Sequence, residues 1–198
     1  MNRFVNIKIE MKKIGITGSI ASGKSTASKI LSIKRGPLFS ADFVVKKLYA
    51  QKKFKNLISQ KFKLKSKTNF KKILKLKIQE NKDNVIKLEK IIHPLVRKEM
   101  KNFIKINNNK PFCFFEIPLL IESKLMKYFD VIILIKANKK IRSKRFQLKG
   151  GSEKLFQILN NKQLNDSKKM KYCDHVVVNE KNINVLKKNL LDIFKLYA

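Results

Sequence analysis

The chain of 198 residues is short of acid, of arginine and of cysteine. It carries 14 acidic side chains against 47 basic ones, a formal charge of +33. Lysine supplies 42 of the 47 and arginine only five. Arginine is the residue that forks onto phosphates and base edges, so its scarcity argues against a surface built to read nucleic acid. The lysines run through the whole chain among isoleucines and asparagines, which reads as a solvated lysine-rich surface with no single binding patch. Cys113 and Cys173 stand apart, with no CxxC and no neighbouring histidine at ligand spacing. That argues against a disulfide framework and a metal site, and predicts free thiols in a reducing cytoplasm. No apolar run approaches the roughly 18 residues of a membrane span, and the first ten residues, "MNRFVNIKIE", lack the apolar core of a signal peptide. These absences predict a cytoplasmic protein with no membrane partner and no specific nucleic-acid partner. There is no internal repeat, no linker rich in Pro, Gly or Ser and no low-complexity tract, and 43% of the residues are hydrophobic. One domain with a real core is expected, as a monomer or small homo-oligomer.

What the chain does have is a set of short apolar runs: "KIGIT" at 13–17, "PFCFFEI" at 111–117, "VIILI" at 131–135, "HVVVN" at 175–179 and, more weakly, "PLFS" at 37–40. They are too short and too uniformly apolar for half-exposed strands, and read as buried ones. Longer segments of helical spacing separate them, which predicts an α/β fold with a parallel five-stranded sheet covered on both faces. Residues 41–109 contain no convincing strand and read as a helical insertion. Within it Val85, Leu88, Ile91, Ile92, Leu95 and Val96 mark one amphipathic face, in which Pro94 is expected to kink or break the helix. "QLKGGS" at 147–152, the only Gly-Gly pair, predicts a mobile loop between two helices.

One motif carries chemistry. In "GITGSIASGKST" the run from Gly18 to Ser25 matches GxxxxGK[ST], directly after an apolar strand and before a helical segment. Backbone N–H groups of such a loop wrap phosphates, and the following helix N-terminus adds a favourable dipole. Gly18, Ala21, Ser22, Gly23, Lys24, Ser25 and Thr26 are the expected ATP-binding residues. Lys24 is expected to reach the β- and γ-phosphates and Ser25 to hold Mg²⁺.

The loop does not name the acceptor. "GITGSIASGKST", "FSADFVVKKLY", "IIHPLVRKEM", "FFEIPLLIE" and "CDHVVVN" follow one another in the order and at roughly the spacing of the dephospho-CoA kinases, and from about Met11 onward the chain resembles that family. The resemblance implies a P-loop kinase related to nucleoside monophosphate kinases, with a helical substrate-binding region at about 41–109 and a lid at about 145–166. It implies phosphorylation of the ribose 3′-hydroxyl of dephospho-coenzyme A, with ATP and Mg²⁺. Residues 1–10 are then an extension.

The same resemblance suggests roles. Asp42 matches the carboxylate that accepts the proton of the attacking hydroxyl, and a carboxylate just past the second strand of such a sheet suits that task; its alternative is to cap the helix that follows. Arg145 matches the lid arginine that neutralises the transferring phosphoryl group, and Arg142 is either a substitute for it or a solvated side chain. His93 matches the "HP" of the helical region and is assigned to the acceptor side, although a lone histidine on a helix is more often structural. Leu119 and Glu122 are assigned to the acceptor pocket, with core packing as the alternative for Leu119. Glu116 is the better placed of two glutamates to act like a Walker-B residue, or is structural. Asn179 matches an asparagine near the adenine. The chain departs from the family at Ser40, Lys71 and Lys149, where acid, arginine and arginine are usual, and at Ala21, where glycine is common. Two rival readings remain: another small-molecule P-loop kinase, which an acceptor panel separates, and a basic nucleic-acid-binding NTPase, which predicts hydrolysis stimulated by nucleic acid.

Overall fold

The apolar runs form one sheet. In the computed structural model, which describes residues 10–64 and 69–198, the strands are β1 (Lys12–Thr17), β2 (Leu38–Ser40), β3 (Phe112–Glu116), β4 (Val131–Lys136) and β5 (His175–Val178). They lie in the order β2-β3-β1-β4-β5, every pair parallel. Parallel neighbours need crossover helices, which cover both faces and so demand apolar residues on both. Accordingly Val131 to Ile135 are buried without interruption. The chain order crosses from one side of β1 to the other, which leaves a crevice at the carboxyl ends of β1 and β3, the usual ligand position in such sheets.

The helices are α1 (Lys24–Ser32), α2 (Ala41–Ala50), α3 (Lys52–Phe62), α4 (Phe70–Glu80), α5 (Lys82–Ile106), α6 (Lys139–Gln147), α7 (Glu153–Asn161), α8 (Asp166–Met170) and α9 (Ile183–Lys195). Their starts are written locally. Asn138, Ser152, Asn165 and Asn182 each accept a backbone N–H of the first turn of α6, α7, α8 and α9. Ala27 and Leu31 of α1 and Leu186 and Leu190 of α9 pack on Ile14, Ile16, Phe114, Ile133 and Ile135 of the sheet.

The chain divides into two units, one of residues up to Ser40 with Ile104–Ala198, the other Ala41–Phe103. The first holds the sheet. The second is helical and has its own core, built on Leu48, Phe54, Ile58, Phe62, Phe70, Leu74 and Ile92. Pro94 does not end its helix: α5 runs for 25 residues with Pro94 inside. The proline removes one rung of the helical ladder, but Ile91, Ile92, Leu95 and Val96 on both sides of it pack into that core. Tertiary packing outweighs the lost bond. Apart from Glu10, the expected extension at 1–10 falls outside the described residues. Among the described residues no helix is long and apolar enough to cross a membrane.

Candidate nucleotide and phosphoryl-transfer site

The loop between β1 and α1 takes a shape that few sequences allow. Gly23 sits at φ +100°, and a Cβ there would lie 2.1 Å from Asn179 Nδ2. A Cβ at Gly18 would lie 2.3 Å from the Ile135 carbonyl oxygen. Ala21 has φ +58°, the left-handed region in which an L residue carries a penalty of roughly 1–2 kcal/mol. That explains why glycine is common at this position of the motif and why alanine still serves, since no side-chain group is needed there.

Side chains from three elements converge on this loop. Lys24, only 8% exposed, donates through Nζ to the Ser19 carbonyl at 3.0 Å. Ser25 Oγ donates to Glu116 Oε1 at 2.5 Å. Glu116 is buried at the end of β3, paired in register with Ile16 of β1, so the sheet itself carries the carboxylate to the helix start. Asn179, just past β5, donates through Nδ2 to the Ser22 carbonyl at 2.8 Å, and its own carbonyl accepts from Arg145 Nη1 at 2.9 Å. A chain of hydrogen bonds therefore runs from α6 through Asn179 into the loop. Ser22 Oγ is buried with no hydrogen-bond partner.

The donors suit the expected ligands. A loop whose glycines leave no room for a Cβ, with a buried lysine and an orphaned buried hydroxyl, is a cradle for phosphate oxygens. Ser25 and Glu116 offer hard oxygen ligands of the kind Mg²⁺ prefers. Among the described residues no three His, Cys, Asp or Glu side chains cluster as a metal site of their own.

Gly23→Ala is expected to lower the melting temperature, because it combines a strained backbone conformation with expulsion of the Asn179 amide. Together these cost about 2–4 kcal/mol. Thermal denaturation checks it, and an unchanged melting temperature would show that Asn179 has another home.

The structure distributes the remaining sequence candidates as follows. Asp42 is exposed in the first turn of α2, two residues beyond β2, and belongs to the helical unit. Thr26 is exposed in the first turn of α1. His93 is half-buried on α5, also in the helical unit, and Leu119 is half-buried in the turn after β3. Glu122 has structural partners that its sequence context did not reveal: Oε1 pairs with Lys169 Nζ at 2.9 Å and accepts from the Leu164 N–H at 3.1 Å. Lys169 is wholly buried, and an ion pair of this kind breaks at a cost of several kcal/mol if one partner is removed. Arg142 is not a solvated side chain; it is 7% exposed and bonded into the protein. Burial draws its pKa below the ordinary value, against the opposing influence of Asp166. Burial likewise pushes the Cys113 and Cys173 thiols up to about 11, which removes both from nucleophilic chemistry near neutral pH. Gln163, Asp166 and Lys169 carried no sequence signal, because a polar residue in a polar stretch says nothing about what it meets when the chain returns.

Comparison with known proteins shows the family. The family model for dephospho-CoA kinase matches residues 12–184. The dephospho-CoA kinase of Bartonella henselae is 35% identical over 191 residues, covering 93% of this chain and 97% of that protein. That of Bartonella quintana is 37% identical over 179 residues, covering 87% and 91%. Among solved structures, the dephospho-CoA kinase from Campylobacter jejuni superposes with a TM-score of 0.67 at 26% identity, covering 93% of this chain and 96% of that one. A shikimate kinase from Acinetobacter baumannii, at 12% identity and a TM-score of 0.52 with 95% and 93% covered, shares the fold alone. With a strand-to-helix phosphate loop, a serine–glutamate pair beside it and a family match over most of its length, this chain belongs to the dephospho-CoA kinase family.

Proposed function

We propose that this chain transfers the γ-phosphoryl group of ATP to the ribose 3′-hydroxyl of dephospho-coenzyme A, giving coenzyme A and ADP. The observation that carries the reading is the Lys24, Ser25 and Glu116 arrangement around the phosphate loop, in a chain that matches this kinase family over residues 12–184. The loop from Gly18 to Thr26 holds the triphosphate, and Lys24 exchanges the Ser19 carbonyl for phosphate oxygens. Ser25 and Glu116 would hold Mg²⁺, which when bound neutralises phosphate charge. Asp42 accepts the proton as the 3′-oxygen attacks the γ-phosphorus and the bond to the bridging oxygen breaks, so that ADP leaves. Arg145 spends one of its five N–H donors on the Asn179 carbonyl and turns others toward the transferring group. Asn179 shapes the loop as well as flanking the adenine. His93 and Leu119 serve the acceptor side, with residues 145–166 as lid. Catalysis on this account is positioning and electrostatics. A cytoplasmic location belongs to the same reading, and the unpaired thiols of Cys113 and Cys173 support it.

The test is an acceptor panel: protein, ATP and Mg²⁺ with dephospho-coenzyme A, a nucleoside or a nucleoside monophosphate, read by mass. Dephospho-coenzyme A should alone gain the mass of one phosphate. Phosphate on the other acceptors, or ATP hydrolysis with none, would sink the reading.

Glu116→Gln offers a second check in which stability and activity move in opposite directions. The amide still accepts from Ser25 Oγ, and a buried charge at the strand end is removed, so the melting temperature should hold or rise. Turnover should fall on the order of 10²-fold and require more Mg²⁺. A Mg²⁺ titration of the rate decides it; an unchanged Mg²⁺ dependence would leave Glu116 a structural residue.

A further inference from the structure

The phosphate loop is also held from outside, by side chains of α6 and of the region assigned as lid. Asp166 Oδ1 accepts from Ser19 Oγ at 2.5 Å, and Gln163 Oε1 accepts from the Ile20 N–H at 2.8 Å. Arg142 donates through Nη1 to the Ile20 carbonyl at 3.3 Å and to Asn160 Oδ1 at 2.8 Å, and through Nε to the Ala137 carbonyl at 3.0 Å. The Arg142 guanidinium lies over the Phe156 ring, 5.6 Å from its centroid. The Ser19 hydroxyl and the Ile20 N–H and carbonyl are thus engaged by residues more than 120 positions later.

The geometry of one peptide unit makes this more than a set of contacts. The Ser19 carbonyl and the Ile20 N–H belong to the same planar trans peptide and point in opposite directions. Gln163 holds the N–H on one side, and Lys24 Nζ is bonded to the carbonyl on the other. Ser22 N–H donates to that same carbonyl at 3.1 Å. Gln163 therefore sets, through a rigid plane, the direction of the oxygen on which the Lys24 ammonium rests. The next peptide repeats the arrangement: Arg142 fixes the Ile20 carbonyl, which turns the Ala21 N–H away from Arg142.

We propose that Gln163 is a positioning residue for the phosphate-binding lysine, acting through the Ser19–Ile20 peptide, with Arg142 and Asp166 completing the brace. The segment between α7 and α8 then does for the outside of the loop what Asn179 does for its far end. Because that segment belongs to the region assigned as lid, any shift of it is transmitted to Lys24.

A merely structural contact would act differently, and the site allows the two to be told apart. A polar cavity of about 490 Å³, lined by Ser19, Arg142, Asn160, Gln163 and Asp166 among others, borders the brace. Water from it can satisfy an orphaned Ile20 N–H, so loss of the Gln163 acceptor frees the peptide's direction with little loss of fold. Gln163→Met keeps the length of the side chain and removes the acceptor. It should raise the Kd for ATP about tenfold, the effect of one lost hydrogen bond in a shielded site, with the melting temperature within about 4 °C of the unaltered protein. If Gln163 acts through Lys24, the same substitution in a Lys24→Met background should change the Kd less than about twofold, since coupled residues are not additive.

The experiment is a double-mutant cycle of Q163M and K24M, with Kd read by displacement of a fluorescent ATP analogue and folding by thermal melting. An equal effect of Q163M in both backgrounds, or no effect in the unaltered one, overturns the proposal. The inference rests on the loop being a nucleotide site, and the unaltered protein tests that separately: failure to bind ATP overturns both. Transfer to dephospho-coenzyme A does not enter this measurement, so the acceptor can be misassigned and the brace still stand.

Discussion

Asp42→Asn is expected to slow transfer to the 3′-hydroxyl of dephospho-coenzyme A by about 10²- to 10⁴-fold, the usual worth of a positioned general base. ATP affinity and the melting temperature should stay close to those of the unaltered protein. The structure supports the second half of that expectation. Asp42 is exposed in the first turn of α2 and packs in no core. Asparagine has nearly the same shape and caps a helix as well as aspartate, so the change weakens the favourable meeting of a negative charge with the helix N-terminus. At an exposed site that is worth about 0.3–1 kcal/mol. Binding and transfer should therefore separate, which initial rates and ATP titration measure side by side. Transfer at the unaltered rate would refute the assignment of the base, and a collapse of ATP affinity would move Asp42 to the metal site.

Lys24→Ala is expected to reduce turnover by about 10²- to 10³-fold or more, because it removes a preorganised cation aimed at charge that builds on the transferring phosphoryl group. The fold should survive. Lys24 is buried, but its ammonium rests on a carbonyl that also accepts the Ser22 N–H, so the Ser19 oxygen keeps a partner. A buried cation carries its own desolvation cost, and the net change in stability should be within about 1 kcal/mol. A coupled assay reads the turnover and circular dichroism with heating the stability. Normal turnover would remove the loop from the mechanism.

The same residues show why some features were legible in the sequence and others were not. The inner strands could be read because a strand buried on both faces must be apolar at every position, and "VIILI" needs no partner to say so. The edge strand β5 departs from the expected burial, leaving Val178 exposed because no strand covers its outer side. The phosphate loop could be read because its constraints lie within eight consecutive residues. Pro94 shows the limit of local reasoning. A proline in a helix normally marks a boundary, and here α5 continues because Ile91, Ile92, Leu95 and Val96 are anchored on both sides. Glu122 shows another. Its place after "IPLLI" suggested the acceptor pocket but gave no sign of Lys169, 47 positions later, which pairs with its carboxylate. Arg142 and Arg145 lie one helical turn apart on α6, and the sequence favoured the second. The structure gives both a place at the loop, Arg145 through Asn179 and Arg142 through Ile20.

Backbone conformation is governed by nearest neighbours, so glycine at φ +100° and an unbroken apolar run announce the loop and the sheet without help. The order in which strands pair, and which side chain of a polar helix turns inward, depend on how distant elements dock. That docking is what brought Glu116 to Ser25, Asn179 to Ser22 and Gln163 to Ile20. Each of these bonds joins residues at least 91 positions apart, and glutamate, asparagine and glutamine look the same in a sequence whether they meet solvent or a phosphate loop.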